Sequence, residues 1–430
     1  MQPKYKTALY DRIFAEVAKI SIVDCHEHLQ RESELPTGDD IHIGRFFIHY
    51  ANSDLISAGM PAETMEKVIT AKDLSPLERW KMLEPWYHKS WNTGYCEALR
   101  IALQDIYDIE DFSSDTVKLL TERMRQRIKP GFTRQIFNQA GIDFAMNNPF
   151  GPKLIYNSDF DKESFICDMV DDFVWFPSKK LIDESEQTIN SLDDYLKIID
   201  NYFETFAESA SAFKVGHAYV RTLKWHDVAK SDAEKLFKQF LTSAEKPGSE
   251  LEQQFEDYIM HYLCNKCGEY KLRMKFHTGL HAGNANDITN SRAALLINLF
   301  TQYPATNFDI YHISYPYQEE LTCIVKNFPN VTVDFCWMWV INPAAARRAL
   351  SEMLDTIPVN KIHGFGGDYI FVEGTYGHSV MARRNITRVL CEKIEEGRFS
   401  ESYAVTVAKL ILRENPLENF NLIEKRKQNR

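Results

Sequence analysis

Two rhythms alternate along this chain. Short apolar runs rich in Val, Ile, Phe and Cys recur, and between them lie longer stretches whose apolar residues fall three and four apart. The runs predict strands at 20–26 (ISIVDCH), 141–148 (GIDFAMNN), 172–177 (DFVWFP), 211–216 (SAFKVG), 271–277 (KLRMKFH), 307–313 (NFDIYHI), 330–337 (NVTVDFCW) and 361–368 (KIHGFGGD). Strands that alternate with helices imply β-α units around a parallel sheet, and eight such units favour a closed ring over an open doubly wound sheet. The expected fold class is α/β, a distorted TIM (β/α)8 barrel formed as a single domain by residues 1–430. Residues 30–140, between the first two strands, predict a helical insertion that caps the barrel. The clearest helical spacing elsewhere is TNSRAALLINLFTQYP, opened by Ser/Thr/Asn and followed by Pro304.

Composition narrows the function. The 44% hydrophobic and 26% charged residues match an ordinary globular protein. A net charge of −11 disfavours a nucleic-acid or anionic-membrane binder, and the basic ending KRKQNR is too short to reverse that. The amino-terminal stretch interrupts its apolar positions with Asp11, Arg12, Glu16 and Lys19, which fits an amphipathic helix and not a secretion signal. No uncharged apolar run approaches the roughly 18 residues of a membrane span. A cytoplasmic protein acting on a small-molecule substrate is expected, with homo-oligomerisation left open. Eight cysteines in 430 residues do not outline a disulfide framework, and Cys264 and Cys267 read as structural residues at the end of a helical pattern.

The first predicted strand ends in an unusual triplet, His26-Glu27-His28. Thirteen histidines in random order would give roughly 0.4 His-x-His pairs, so the pair alone proves little. Its position adds weight. Side chains alternate along a strand, so both imidazoles share one face while Glu27 points to the other, as two ligands of one metal require. Catalytic groups of such barrels gather at the carboxyl ends of the strands. The polar residues ending the other runs are therefore candidates too: Lys214 on the fourth, His277 on the fifth, His312 on the sixth and Asp368 on the eighth. Each has a structural alternative as a core histidine, a paired lysine or a capping aspartate.

The motifs VDCHEH, KFHTGLHAG, FDIYHISYPYQEEL and HGFGGDY, in this order, resemble the amidohydrolase superfamily. The stretch from Lys271 to Tyr369 is similar to its amidohydrolase-2 branch of metal-dependent hydrolases and nonoxidative decarboxylases. The resemblance implies that His26, His28, His277 and Asp368 bind a divalent metal, one zinc ion in the favoured reading, with manganese, iron and cobalt as alternatives. It gives His312 the place of the sixth-strand histidine. Lys214 becomes a ligand only if it is carboxylated, as in members with two metals. Such a centre leaves zinc an open position, where water ionises near neutral pH. Asp368 is then expected to carry the proton, and His312, if not a ligand, to polarise the substrate carbonyl.

The expected reaction is hydrolysis of a C–N or C–O bond, amide or lactone, in a carboxylate-bearing substrate. Tyr219 and Arg221 after the fourth strand, and Trp337 and Trp339 after the seventh, are candidates for the substrate wall. The segment VEGTYGHSVMARRNITRVLCEKI also resembles uronate isomerases, which implies a carboxylate fork at Arg383 or Arg384 and makes sugar-acid isomerisation the alternative, beside decarboxylation of an aromatic acid.

Overall fold

The computed structural model describes residues 7–148, 160–170, 174, 185, 187–242 and 249–429. Eight short parallel strands follow each other around a ring. They are β1 (Ile22–Glu27), β2 (Ile142–Asn147), β3 (in two segments, Phe165–Cys167 and Met169–Val170), β4 (Phe213–Val215), β5 (Met274–Phe276), β6 (Phe308–Ile310), β7 (Val331–Asp334) and β8 (Ile362–His363). The two segments of β3 serve different neighbours: the Asp168 N–H donates to the Asn147 carbonyl on the β2 side, and the Met169 N–H to that of Ala212 before β4, both at 2.8 Å. Beyond β8 the chain runs along β1, where the Cys25 N–H reaches the Phe365 carbonyl (3.1 Å) and the Asp368 N–H that of His26 (2.8 Å). These bonds close the barrel, so neither edge strand is left to template further pairing.

Both faces of the strands are covered. Helices Leu192–Phe206, Gln318–Asn327, Pro343–Thr356 and Val372–Glu395 lie between or after them, in the β-α alternation expected. The interior is not a purely aliphatic filling. Lys214, Lys275, Asp309 and Thr332 stand in register across β4 to β7. Lys275 Nζ crosses the barrel to the Cys25 carbonyl (2.8 Å) and to Asp168 Oδ2 (2.9 Å). A lysine without exposure is tolerated only when its charge is met in this way.

Helix α1 (Ala8–Ala18) precedes β1, and between β1 and β2 run α2 (Ala51–Ser57), α3 (Ala62–Thr70), α4 (Pro76–Ser90), α5 (Gly94–Tyr107), α6 (Val117–Arg127) and α7 (Phe132–Ala140), the insertion expected there. Helix α4 starts with a capping box: Ser75 Oγ accepts the Glu78 N–H, and Glu78 Oε2 accepts that of Ser75. Trp80 and Phe112 stack at 5.8 Å in the insertion's own core.

Two expectations shift. The strand expected at 172–177 lies outside the described residues apart from Val174, and the third barrel position is filled by Phe165–Val170 just before it. The stretch after Thr289 is not one helix but two 3₁₀ turns, Ile288–Ser291 and Ala293–Leu296, followed by the short helix Ile297–Gln302. Tertiary bonds break it. Ser291 Oγ donates to the Gly279 carbonyl, and the Ala293 N–H goes to Ser314 Oγ instead of continuing a helical ladder. Cys264 and Cys267 are buried thiols inside helix Ser249–Glu269, and none of the eight cysteines forms a disulfide.

Candidate metal centre

The end of β1 meets the turn after β8 at one point. His26 Nε2 and His28 Nε2 lie 3.2 Å apart, and Asp368 Oδ1 is 3.3 Å from each. Bonds of about 2.0–2.1 Å to a tetrahedral ion separate its ligand atoms by about 3.3–3.4 Å, so this triangle has the dimensions of three zinc ligands. The proton positions agree. His28 Nδ1 is 2.8 Å from the Asn148 carbonyl, which can only accept, so Nδ1 carries the hydrogen and Nε2 offers its lone pair. Burial would raise the Asp368 carboxyl, but the polar and cationic groups around it, Lys214 among them, hold it well below the usual carboxylate range. Burial, then His28 and Lys214, push His26 well below its ordinary pKa, so the ring stays neutral and available as a ligand.

A second pair sits beside this triangle. His312 Nδ1 donates to the Cys336 carbonyl (2.9 Å), and His277 Nε2 donates to that of Leu280 (2.9 Å). The remaining nitrogens, His312 Nε2 and His277 Nδ1, therefore both present lone pairs, and they face each other at 3.0 Å. Two lone pairs at that distance repel unless a cation or shared proton lies between or beside them. Burial lowers His277 far below its ordinary value and His312 to about 4, which disfavours the proton. Asp368 Oδ2 approaches His312 Nε2 to 3.8 Å. Lys214 Nζ lies 4.7 Å from the centre of the Tyr311 ring, and its charge acts on His26, His277, His312 and Asp368. The sequence-derived set of His26, His28, Lys214, His277, His312 and Asp368 is thus gathered at one end of the barrel.

The backbone here is strained in a consistent way. Asp368 (φ 61°), His312 (φ 59°), Trp337 (φ 64°) and Tyr50 (φ 60°) all adopt the left-handed region that side chains avoid. Trp337 stacks on Tyr50 at 4.4 Å and meets His312 edge-on at 5.1 Å, which puts it on the wall of the centre. Tyr219 packs on His277 at 4.6 Å and keeps 42% of its surface exposed. Sequence reasoning missed His49 and Tyr50. The Tyr50 hydroxyl donates to the Asp368 carbonyl (2.6 Å), His49 stacks on Tyr50 at 3.7 Å, and the charges of Asp368 and His28 act on His49. Both come from the insertion, where no strand end marks them.

Three candidates are committed elsewhere. Arg221 Nη1 meets Glu256 (2.9 Å) and Nη2 meets Asp257 (2.6 Å), and the guanidinium also donates to the Thr222, Gln253 and Lys224 carbonyls. Arg383 donates to the carbonyls of Val17, Ile20, Ala140 and Gly141, which precede β1 and β2 and so lie at the end of the barrel opposite the metal ligands. Trp339 is buried and donates Nε1–H to the Gly364 carbonyl (2.9 Å). A long arginine satisfies whatever carbonyls and carboxylates its fork reaches, and sequence position does not reveal which these are.

Residues 197–422 match a family model described as amidohydrolase. Protein fluG of Emericella nidulans is 26% identical over 152 residues, 35% of this chain and 18% of that protein, so the match covers about a fifth of its length. Among solved structures, uronate isomerase from Thermotoga maritima superposes with a TM-score of 0.81 at 16% identity, covering 96% of this chain and 97% of that one. Glucuronate isomerase from Caulobacter crescentus gives 0.79 at 17%, covering 98% and 95%, and a putative metal-dependent hydrolase from Lactobacillus casei 0.66 at 14%, covering 96% and 98%. At these identities the likeness is one of fold.

Proposed function

Because the chain belongs to the amidohydrolase family, we propose that it is a metal-dependent enzyme that hydrolyses a C–N or C–O bond, amide or lactone, in a small substrate. The observation that carries this reading is the ligand triangle of His26, His28 and Asp368. A divalent ion held there, zinc first and manganese, iron or cobalt as alternatives, would supply Lewis acidity and a more acidic water near neutral pH. His277 is the further ligand, and Lys214 joins only if carboxylated. Asp368 takes the proton of the attacking water and returns it to the leaving group. His312 needs a different role from that of a carbonyl-polarising donor, since neutral His312 presents a lone pair at Nε2. It acts as a ligand or as a proton acceptor. Trp337 and Tyr219 form the substrate wall.

Isomerisation of a sugar acid is the second reading. His49 favours it by adding a further imidazole within reach of the Asp368 charge. The commitment of Arg383 weighs against it, because one of the two arginines expected as a carboxylate fork is taken up by backbone carbonyls, and the commitment of Arg221 weakens the case for a carboxylate-bearing substrate. The deciding experiment assays metal-free and metal-reconstituted protein on amides, lactones, aromatic acids and uronates. Metal-dependent turnover of an amide or lactone supports hydrolysis. Uronate turnover without hydrolysis transfers the site to isomerisation, and carbon dioxide release from an aromatic acid transfers it to decarboxylation.

A further inference from the structure

We propose that Glu27, the residue between the two histidines, is a positioning residue for Asp368: together with Asp24 it pins the turn that brings that carboxylate into the centre. The inference rests on the reading of Asp368 as a metal ligand. The Glu27 carboxyl group is turned from the imidazoles of His26 and His28 toward a backbone amide, at an irregularity in the β1 pairing between Asp24 and Glu27. It faces the turn after β8. Glu27 Oε2 accepts the N–H of Tyr369 (2.8 Å), and Asp24 Oδ1 accepts those of Gly367 (3.1 Å) and of His26 (3.0 Å). The amides on both sides of Asp368 therefore end on β1 carboxylates, while the amide of Asp368 itself ends on the His26 carbonyl.

This arrangement explains how Asp368 keeps a left-handed backbone without being glycine. Such a conformation persists only where the surroundings over-determine it. Here three successive amides are fixed, and the turn is moulded on Glu27: a Cβ on Gly367 would come within 1.8 Å of Glu27 Oε1. Glu27 and Asp24 are both wholly buried, a costly placement for two neighbouring carboxylates that an apolar pair would avoid. Serving the turn amides is what those carboxylates do and an apolar pair cannot.

Cobalt(II) titration of metal-free protein tests the role, with the visible absorption of the bound ion reporting ligand geometry. Glu27→Gln keeps an acceptor for the Tyr369 amide and is expected to bind as the wild type does. Glu27→Ala removes the acceptor and Glu27→Asp withdraws it, and each is expected to bind cobalt about 10–100-fold more weakly, with an altered spectrum. A purely structural role would lower the melting temperature and leave the spectrum unchanged. If Glu27→Ala does not fold, Glu27→Asp decides, since it keeps the carboxyl group and most of the volume. Folded Glu27→Ala or Glu27→Asp protein with wild-type affinity and spectrum overturns the proposal, and so does Glu27→Gln failing as badly as Glu27→Ala. The underlying reading is tested separately by His26→Ala. Cobalt uptake that survives His26→Ala, or wild-type protein that takes up none, refutes the metal assignment itself. Uptake lost in His26→Ala but intact in Glu27→Ala and Glu27→Asp refutes only the positioning role.

Discussion

Arg221→Ala removes a guanidinium whose side chain is 3% exposed and leaves Glu256 (9%) and Asp257 (3%) as carboxylates without their cation. It also strips three backbone carbonyls of donors and uncovers the Trp225 ring, which the guanidinium covers at 4.1 Å. Breaking one buried ion pair from a single side costs about 3–5 kcal/mol. The two carboxylates share one arginine, so the loss is expected at the upper end of that range. Urea denaturation followed by circular dichroism, at constant metal load, reads the loss as a lower midpoint. Replacing all three residues by apolar ones of similar size should recover much of the stability, because no buried charge is then left alone. Steady-state kinetics supplies the contrasting readout. An Arg221→Ala protein as stable as the wild type, with KM raised and kcat preserved, would show that the arginine binds substrate and would refute the structural assignment.

Other outcomes follow from the same geometry. Arg383→Ala should lower stability by about 1–3 kcal/mol by leaving four carbonyls short of donors, with KM unchanged; a raised KM at full stability would restore a substrate role. Burial pushes His312 and His378 down to about 4, whereas the unfolded chain binds those protons near pH 6.5. On these two rings the unfolded state therefore holds more protons between these values, so their contribution to the stability of metal-free protein is full above about pH 6.5 and is lost as the pH falls toward 4; a wild-type urea midpoint that falls no further between pH 7 and pH 5 than that of His378→Gln would contradict this. Chelation should abolish turnover, and zinc at about 1,000 times its Kd should restabilise the metal-free protein by about 4 kcal/mol in thermal melts, an effect absent from His28→Ala.

Much of the architecture was legible because burial and alternation leave traces in sequence. β2 and β4 to β8 fall inside their apolar runs, and β1 overlaps its run, since strands covered on both faces are written almost entirely in apolar residues. His26, His28, His277, His312 and Asp368 could be collected because strand order carries each to the same end of a closed ring. β3 was passed over because Asp168 interrupts its apolar run. His49 and Tyr50 left no periodic signal, since the insertion delivers them through a left-handed backbone at Tyr50. Arg221 and Arg383 failed for a common reason: a side chain's address depends on which carbonyls, amides or carboxylates surround it in space, and spacing along the chain does not record that.

Anomalous diffraction at the zinc absorption edge, from crystals grown with zinc, locates the ion itself. A peak is expected within bonding distance of His26 Nε2, His28 Nε2 and Asp368 Oδ1 together, lost in the Asp368→Ala variant. A crystal saturated with zinc that shows no peak among those three atoms, or an ion coordinated elsewhere on the chain while they remain bonded to each other, would contradict it.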